Sequence, residues 1–209
     1  MIYKYPKYIF PPRPDRCFPR SGMDTFDDGT CMAEPKFNGK CTEVYNGDKW
    51  AVYNRHNALT EFKITRDEMQ YVLPYPGQHL IVGEYMNTSK KDENNKVFNN
   101  KFMIFDIIVF DNDHLIGKTF QERMDLLIRL VASKVIASND YSYQLSDNIF
   151  LTKVFYKDFG TLWDKFVQVD MLEGLVLKKI NSPLEPGITE MNNHRSMLKC
   201  RKPTKNYKH

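Results

Sequence analysis

The sequence predicts an α+β domain built on antiparallel sheets. Two observations lead there. Strand-like segments outnumber segments with helical periodicity. Most neighbouring strand-like segments are joined by connections short enough for hairpins. A third observation sets the scale. The chain has 209 residues, 42% apolar and 27% charged, enough for one large domain or two small ones with a real core. No internal repeat recurs, and no linker divides the chain.

The elements follow in order. Residues 1–22 carry five prolines and little periodicity, so they are expected to lie as an extended arm, with 23–209 as the folded domain. Between Lys40 and Asn54, two alternating segments flank Asn46-Gly47, a type I′ hairpin signal. Lys36 is then expected just ahead of a strand, on a turn opened by Gly39. Leu80–Tyr85 and Lys101–Phe110 read as strands. The asparagine-rich stretch Asn87–Asn100 between them reads as a mobile loop. Thr119-Phe-Gln-Glu122 is a capping box, and the helix it opens places Phe120, Met124, Leu127 and Val131 on one face. Ile149–Phe155 is strand-like. Trp163, Phe166 and Val167 indicate a helix leading into a strand at Gly174–Lys179. A last strand holds Met197–Arg201.

Composition excludes several classes. No run approaches the ~20 apolar residues a membrane span needs. The N-terminal residues lack the apolar stretch of a signal peptide. Cys17, Cys31, Cys41 and Cys200 show no C-x-x-C spacing, which argues for reduced thiols in a cytoplasmic protein and against a zinc site. Lys, Asn, Tyr and Ile are abundant, a bias of AT-rich genomes that points to a phage or other viral source. The net charge is +4, yet Met191–His209 holds six Lys or Arg and no acid, so the rest is net negative. Such a basic strip suits phosphate or nucleic acid.

The chemistry centres on Glu34-Pro-Lys-Phe-Asn-Gly39. After it come Asn54-Arg55-His56, Val82-Gly83-Glu84-Tyr85, Phe105-Asp106, Glu173-Gly-Leu-Val-Leu-Lys178 and Met197-Leu-Lys-Cys-Arg201. One Lys-x-Asn-Gly is a weak signal, but six elements in this order are specific. They resemble the nucleotidyltransferase domain of ATP-dependent polynucleotide ligases and mRNA capping enzymes, over about residues 30–202. The resemblance implies two mostly antiparallel sheets flanked by helices, with a nucleotide cleft between them.

It also implies roles. Lys36 would form a lysyl–AMP phosphoramide. Glu34 and Pro35 would lie at the adenine, with Glu34 accepting from its amino group, which favours ATP over GTP. Phe105 and Val176 would sandwich the base. Glu84 would contact the ribose, Arg55 the sugar or phosphates, and Glu173 would support metal-assisted chemistry. Mg²⁺ or Mn²⁺ is the implied metal, with Glu173, and Glu84 second, as its ligands. A lysine attacks phosphorus only as the neutral amine, and its ordinary pKa of ~10.4 leaves it protonated. Lys178, Lys199 and Arg201 are the cations available to lower that pKa and to neutralise the α-phosphate. Strand alternation puts Lys199 and Arg201 on one face and Cys200 on the other.

This chain departs from the family at two places. Asn38 stands where most members have aspartate. Many ligases and capping enzymes continue into an OB-fold after the last element, and none is expected before His209. Val82-Gly83-Glu84-Tyr85 is closer to RNA ligases, and Gly117–Arg123 closer to the helix start of DNA ligases. The leading expectation is an ATP-dependent RNA ligase, monomeric and not membrane-bound, that joins 5′-phosphate and 3′-hydroxyl strand ends. The alternatives are a minimal DNA ligase core, a GTP-dependent capping enzyme, and a nucleic-acid-binding module without chemistry.

Overall fold

The computed structural model describes residues 20–185 and 196–203. Two sheets organise them. The smaller has three antiparallel strands: β1 (Cys31–Phe37), β10 (Leu172–Lys179) at its centre, and β11 (Met197–Arg201). The larger runs β3 (Ala51–Asn54), β2 (Lys40–Asn46), β4 (His79–Met86), β5 (Lys101–Phe110), β9 (Ile149–Thr152), β8 (Ser142–Gln144) and β7 (Ala137–Ser138). A two-residue strand, β6 (Asp113–His114), hangs on β5. All pairings are antiparallel except β5 with β9. The expected α+β class with two mostly antiparallel sheets is therefore the observed one.

Three apolar clusters hold the layers. One fills the space between the large sheet and its helices α1 (Arg66–Val72) and α2 (Phe120–Val131), through Val44, Ile81, Phe102, Met69 and Leu127. A second joins the small sheet to α3 (Phe159–Phe166), through Ala33, Leu175, Leu177, Cys200 and Phe159. The third lies where the sheets face each other, with Met32 and Met197 from one and Tyr45, Leu80, Val82 and Ile108 from the other. Proline in β1 is tolerated because β1 is an edge strand whose outer side carries only the isolated Ala33–Phe155 bridge.

Helix ends are satisfied by identifiable groups. At α2 the expected capping box is present: Thr119 Oγ1 accepts from the Glu122 amide and Glu122 accepts from the Thr119 amide. At α3 the cap is supplied from far in sequence, by the Asp27 carboxylate accepting from the amides of Asp158 and Phe159.

Several expectations need correction. Lys36 is inside β1, not on a turn ahead of a strand. The Asn46-Gly47 hairpin exists, but Tyr45 pairs with Ala51, so the loop is longer than two residues. Asn46 lacks the positive φ a type I′ turn requires, because it continues the β2–β4 ladder opposite His79. Strand β9 stops at Thr152, and Phe155 makes only an isolated bridge to Ala33. The stretch Asn87–Asn100 is not a loose loop: Lys91 bridges Val97, the Lys91 carbonyl accepts from Met171, and Phe98 is buried. Helix α1 was not expected from the sequence. Of the proposed arm, residues 1–19 lie outside the described residues, and Arg20–Gly22 open a short 3-10 helix that packs on α3.

Candidate active site

Register places the chemistry-bearing residues of the small sheet in rows across its three strands. Lys36 stands opposite Gly174, and Gly174 opposite Arg201. One step along, Glu34 pairs with Val176 and Val176 with Lys199. A third row is Met32, Lys178 and Met197. Side chains alternate along a strand, so these residues share the face turned to the large sheet. Pro35, Leu175 and Cys200 take the other face, and Leu175 and Cys200 lie in the cluster with α3. The expectation that Lys199 and Arg201 share a face with Cys200 turned away holds. Pro35 alternates away from Glu34 and Lys36, so its ring is not on their face.

Glu173 reaches this face through an irregularity. Pairing steps from Lys36 opposite Gly174 to Phe37 opposite Leu172, which leaves Glu173 as the extra residue of a β-bulge. Gly174 makes the bulge possible. Its φ of +139° is strained for a residue with a side chain, and a Cβ there would collide with the Cys200 carbonyl. The re-aimed Glu173 carboxylate touches Lys36 Nζ with Oε2 and accepts from Arg201 Nη2 at 2.9 Å with Oε1.

The large sheet contributes Glu84, opposite Cys41 on β2. Its Oε1 accepts from the Gly39 amide at 3.1 Å, which ties the turn after Lys36 to β4. Here too glycine is required by proximity: a Cβ on Gly39 would press on the Tyr85 carbonyl and the Glu84 side chain. Burial pushes the Glu84 carboxyl up to about 7, against the opposing pull of Lys36 and the Gly39 amide. Burial likewise pushes Glu34 up to about 7, against the pull of Lys178, whose Nζ is 2.7 Å from Glu34 Oε2. Glu34 Oε1 is a buried acceptor with no hydrogen-bond partner among the described residues.

Phe105 also sits at a bulge. Val82 pairs with Asp106 but Gly83 with Ile104, so Phe105 is the extra residue of β5. It is half-buried between two buried neighbours, 5.2 Å from ring centre to Lys178 Nζ. Val176 is half-buried within an otherwise closed stretch of β10. Arg55 is exposed on the turn after β3, its Nε 3.1 Å from His56 Nε2, one residue past Asn54 and level with the Cys41–Glu84 pair. Thus Lys36, Glu173 and Arg201 are in direct contact, and Glu34, Lys178 and Phe105 form a second contact group. Val176 and Lys199 lie between them on the same face, and Arg55 stays at the rim.

Sequence reading assigned no role to Cys41, Asp106 or Arg123, although Phe105-Asp106 and Gly117–Arg123 were among its segments. Cys41 lies where the fields of Lys36, Lys199, Glu84 and Glu43 overlap, and burial, then Glu84 and Glu43, push its thiol well above the ordinary value. Arg123 was legible as a charge on the apolar stripe of α2, three residues after Phe120. Among the described residues no group of three or more His, Cys, Asp or Glu gathers. The oxygen donors Glu173 and Glu84 near Lys36 still fit Mg²⁺ or Mn²⁺, because Mg²⁺ is commonly held by one or two carboxylates plus substrate phosphates.

Two facing, mostly antiparallel sheets and the family match define the class: the nucleotidyltransferase domain of ATP-dependent polynucleotide ligases. The family model for the ATP dependent DNA ligase domain matches residues 64–201, and the chain belongs to that family. The match begins after the Lys36 segment and does not include it. No curated protein matches the sequence. Among solved structures, the chain is similar to mycobacterial DNA ligase D complexed with ATP and MES (15% identity, TM-score 0.61, 85% of this chain and 56% of that one). It is also similar to Pmar-Lig (17% identity, TM-score 0.63, 87% and 44%). Lig E DNA ligase, described as binding DNA with a minimal scaffold, aligns at 15% identity and TM-score 0.53, over 93% and 70%. The chain thus spans little more than half of the ligase D chain, and at these identities the likeness shows the fold.

Proposed function

We propose that this chain is the catalytic domain of an ATP-dependent polynucleotide ligase with Lys36 as the nucleophile. The observation that carries this reading is the Lys36–Glu173–Arg201 contact, built by a glycine bulge next to a buried, unpaired acceptor on Glu34. Lys36 Nζ attacks the α-phosphorus of ATP, the N–P bond forms and the P–O bond to pyrophosphate breaks. The Nζ proton passes to the carboxylate in contact with it, Glu173. Arg201 and Lys199 flank the phosphoryl oxygens and offset the charge that builds there. Glu34 accepts from the adenine amino group, and Phe105 and Val176 hold the base faces. A divalent metal held by Glu173 and Glu84 would neutralise phosphate charge and polarise the phosphoryl group. A 5′-phosphate oxygen then displaces Lys36 from AMP, and a 3′-hydroxyl oxygen displaces AMP to join the strands.

The description of the matching family, an ATP dependent DNA ligase domain, supports DNA as one acceptor. A second reading, RNA, is supported by Val82-Gly83-Glu84-Tyr85, which resembles the matching segment of RNA ligases. Pre-adenylylated strands separate the two. Faster sealing of all-DNA nicks supports the first, and faster sealing when the 3′-terminal sugar is ribose supports the second. Labelled ATP that never becomes attached to the protein in Mg²⁺ or Mn²⁺ refutes both.

A further inference from the structure

Glu34, Phe105 and Lys178 meet a buried arrangement that begins on α2. Arg123 is 1% exposed and donates to Asp106 twice, Nε to Oδ1 and Nη2 to Oδ2, both at 2.8 Å. Its Nη1 donates to the Lys118 carbonyl at 2.7 Å. The guanidinium carbon lies 4.6 Å from the centre of the Phe120 ring. Lys178 Nζ lies 5.1 Å from that same ring and 5.2 Å from Phe105. Lys178 in turn holds Glu34.

Stability alone is a poor reason for such a pair. A buried ion pair is often matched or surpassed by apolar residues of similar volume. What a two-pronged guanidinium–carboxylate contact supplies is a fixed position and orientation. Here the position has an object. Asp106 follows Phe105, and Phe105 is the extra residue of the β5 bulge, outside the regular ladder. Asp106 Oδ1 also accepts from the Ile107 amide at 2.8 Å, so the carboxylate clamps the backbone beside the bulge. Burial acts to raise the Asp106 carboxyl, but Arg123 and Lys178 outweigh it and hold the group below its ordinary value. It therefore stays an anion for the guanidinium to grip.

We infer that Arg123 is a positioning residue for base recognition: through Asp106 it fixes the Phe105 bulge, and through Phe120 it fixes Lys178 and so Glu34. The inference rests on the ligase reading above and adds the first turn of α2 to the base pocket as its rear support. Arg123 does not touch the nucleotide. Its loss blurs the pocket without removing any group from it.

The test is the concentration dependence of lysyl–nucleotide formation by the whole chain, with ATP and with GTP. Arg123→Lys keeps the charge and loses the fork. It is expected to raise the ATP concentration for half-maximal labelling by about tenfold, the scale of one well-oriented base contact. The saturating rate and the fraction of labelled protein should stay within about twofold, and the preference for ATP over GTP should narrow. A merely structural role would lower the labelled fraction and Tm while leaving half-saturation and preference as in the wild type, and that result overturns the inference. If Arg123→Lys does not fold, the pair Arg123→Met with Asp106→Leu replaces the ions by apolar groups of comparable volume. Loss of base preference in that protein supports the inference, and wild-type preference refutes it. Wild-type protein that forms no lysyl–AMP overturns the ligase reading itself, before any variant is made.

Discussion

Glu173 and Asp106 are both carboxylates held by cations, and they are held differently. Glu173 gives one oxygen to Lys36 and the other to Arg201, and its side chain keeps 11% of its exposure. Asp106 gives both oxygens to one guanidinium and is almost sealed, at 3% beside a 1% exposed partner. The first arrangement is divided among three strand positions and is less sealed, so a metal ion can replace one of the cations on Glu173, or a phosphate can draw one cation away from it. The second can be opened only by stranding a charge in the interior, at a cost of about 3–5 kcal/mol. The one that exchanges partners suits chemistry, and the one that cannot suits holding neighbours in place.

The largest expected effect is at Lys36. Lys36→Ala and Lys36→Arg are both expected to abolish covalent labelling by ATP, the second because guanidinium stays charged at working pH. Label surviving on denaturing gels in either variant removes Lys36 from the reaction. The next effect is on its partners. Glu173→Gln, Lys199→Ala and Arg201→Ala should each slow lysyl–AMP formation about 100-fold without any polynucleotide present, the scale for a group that stabilises developing charge. Normal labelling with weakened strand binding would instead place Lys199 and Arg201 on the nucleic acid.

Smaller effects sharpen the other half. Glu34→Gln keeps an acceptor oxygen but adds a donor, so discrimination against GTP should fall by about tenfold. Equal labelling by both nucleotides in the wild type would refute the base assignment. The smallest effect is on stability. Burial raises the folded-state pKa of Glu34 from 4.5 to about 7, so the folded state binds the extra proton between those values. This contribution favours the fold fully below pH 4.5 and weakens as pH rises through the window to about 7. Urea unfolding of nucleotide-free protein should show Glu34→Gln losing less stability than wild type as pH rises from 4.5 to about 7. Identical pH slopes would show that Glu34 ionises normally.

Strands with long apolar runs were legible: β4, β5, β10 and β11 were anticipated to within two residues, and α2 was announced by its own cap. Helix α1 was not. Its seven residues are too few for periodicity to show, and only Thr65, capping the Glu68 amide, marked its start. Strands β6 to β8 are two or three residues long and exist because neighbouring strands are there to pair with. At the site, residue types were readable, but bulges were not. The sequence Glu173-Gly174 shows a carboxylate beside a glycine, whereas the swing of that carboxylate toward Lys36 depends on the partner strand's register. Asp106 and Arg123, 17 residues apart, were visible singly and became a pair only through packing.

The extra residue in β10 sets how this protein tolerates length changes. Removing position 173 would give β1 and β10 an unbroken ladder and a more regular strand. It would also leave Lys36 and Arg201 as two cations with no carboxylate between them. A search for better-paired variants would therefore drift away from the Lys36–Glu173–Arg201 contact. Length variation is far safer around the Asp92–Lys96 turn, where the exposed chain doubles back on itself.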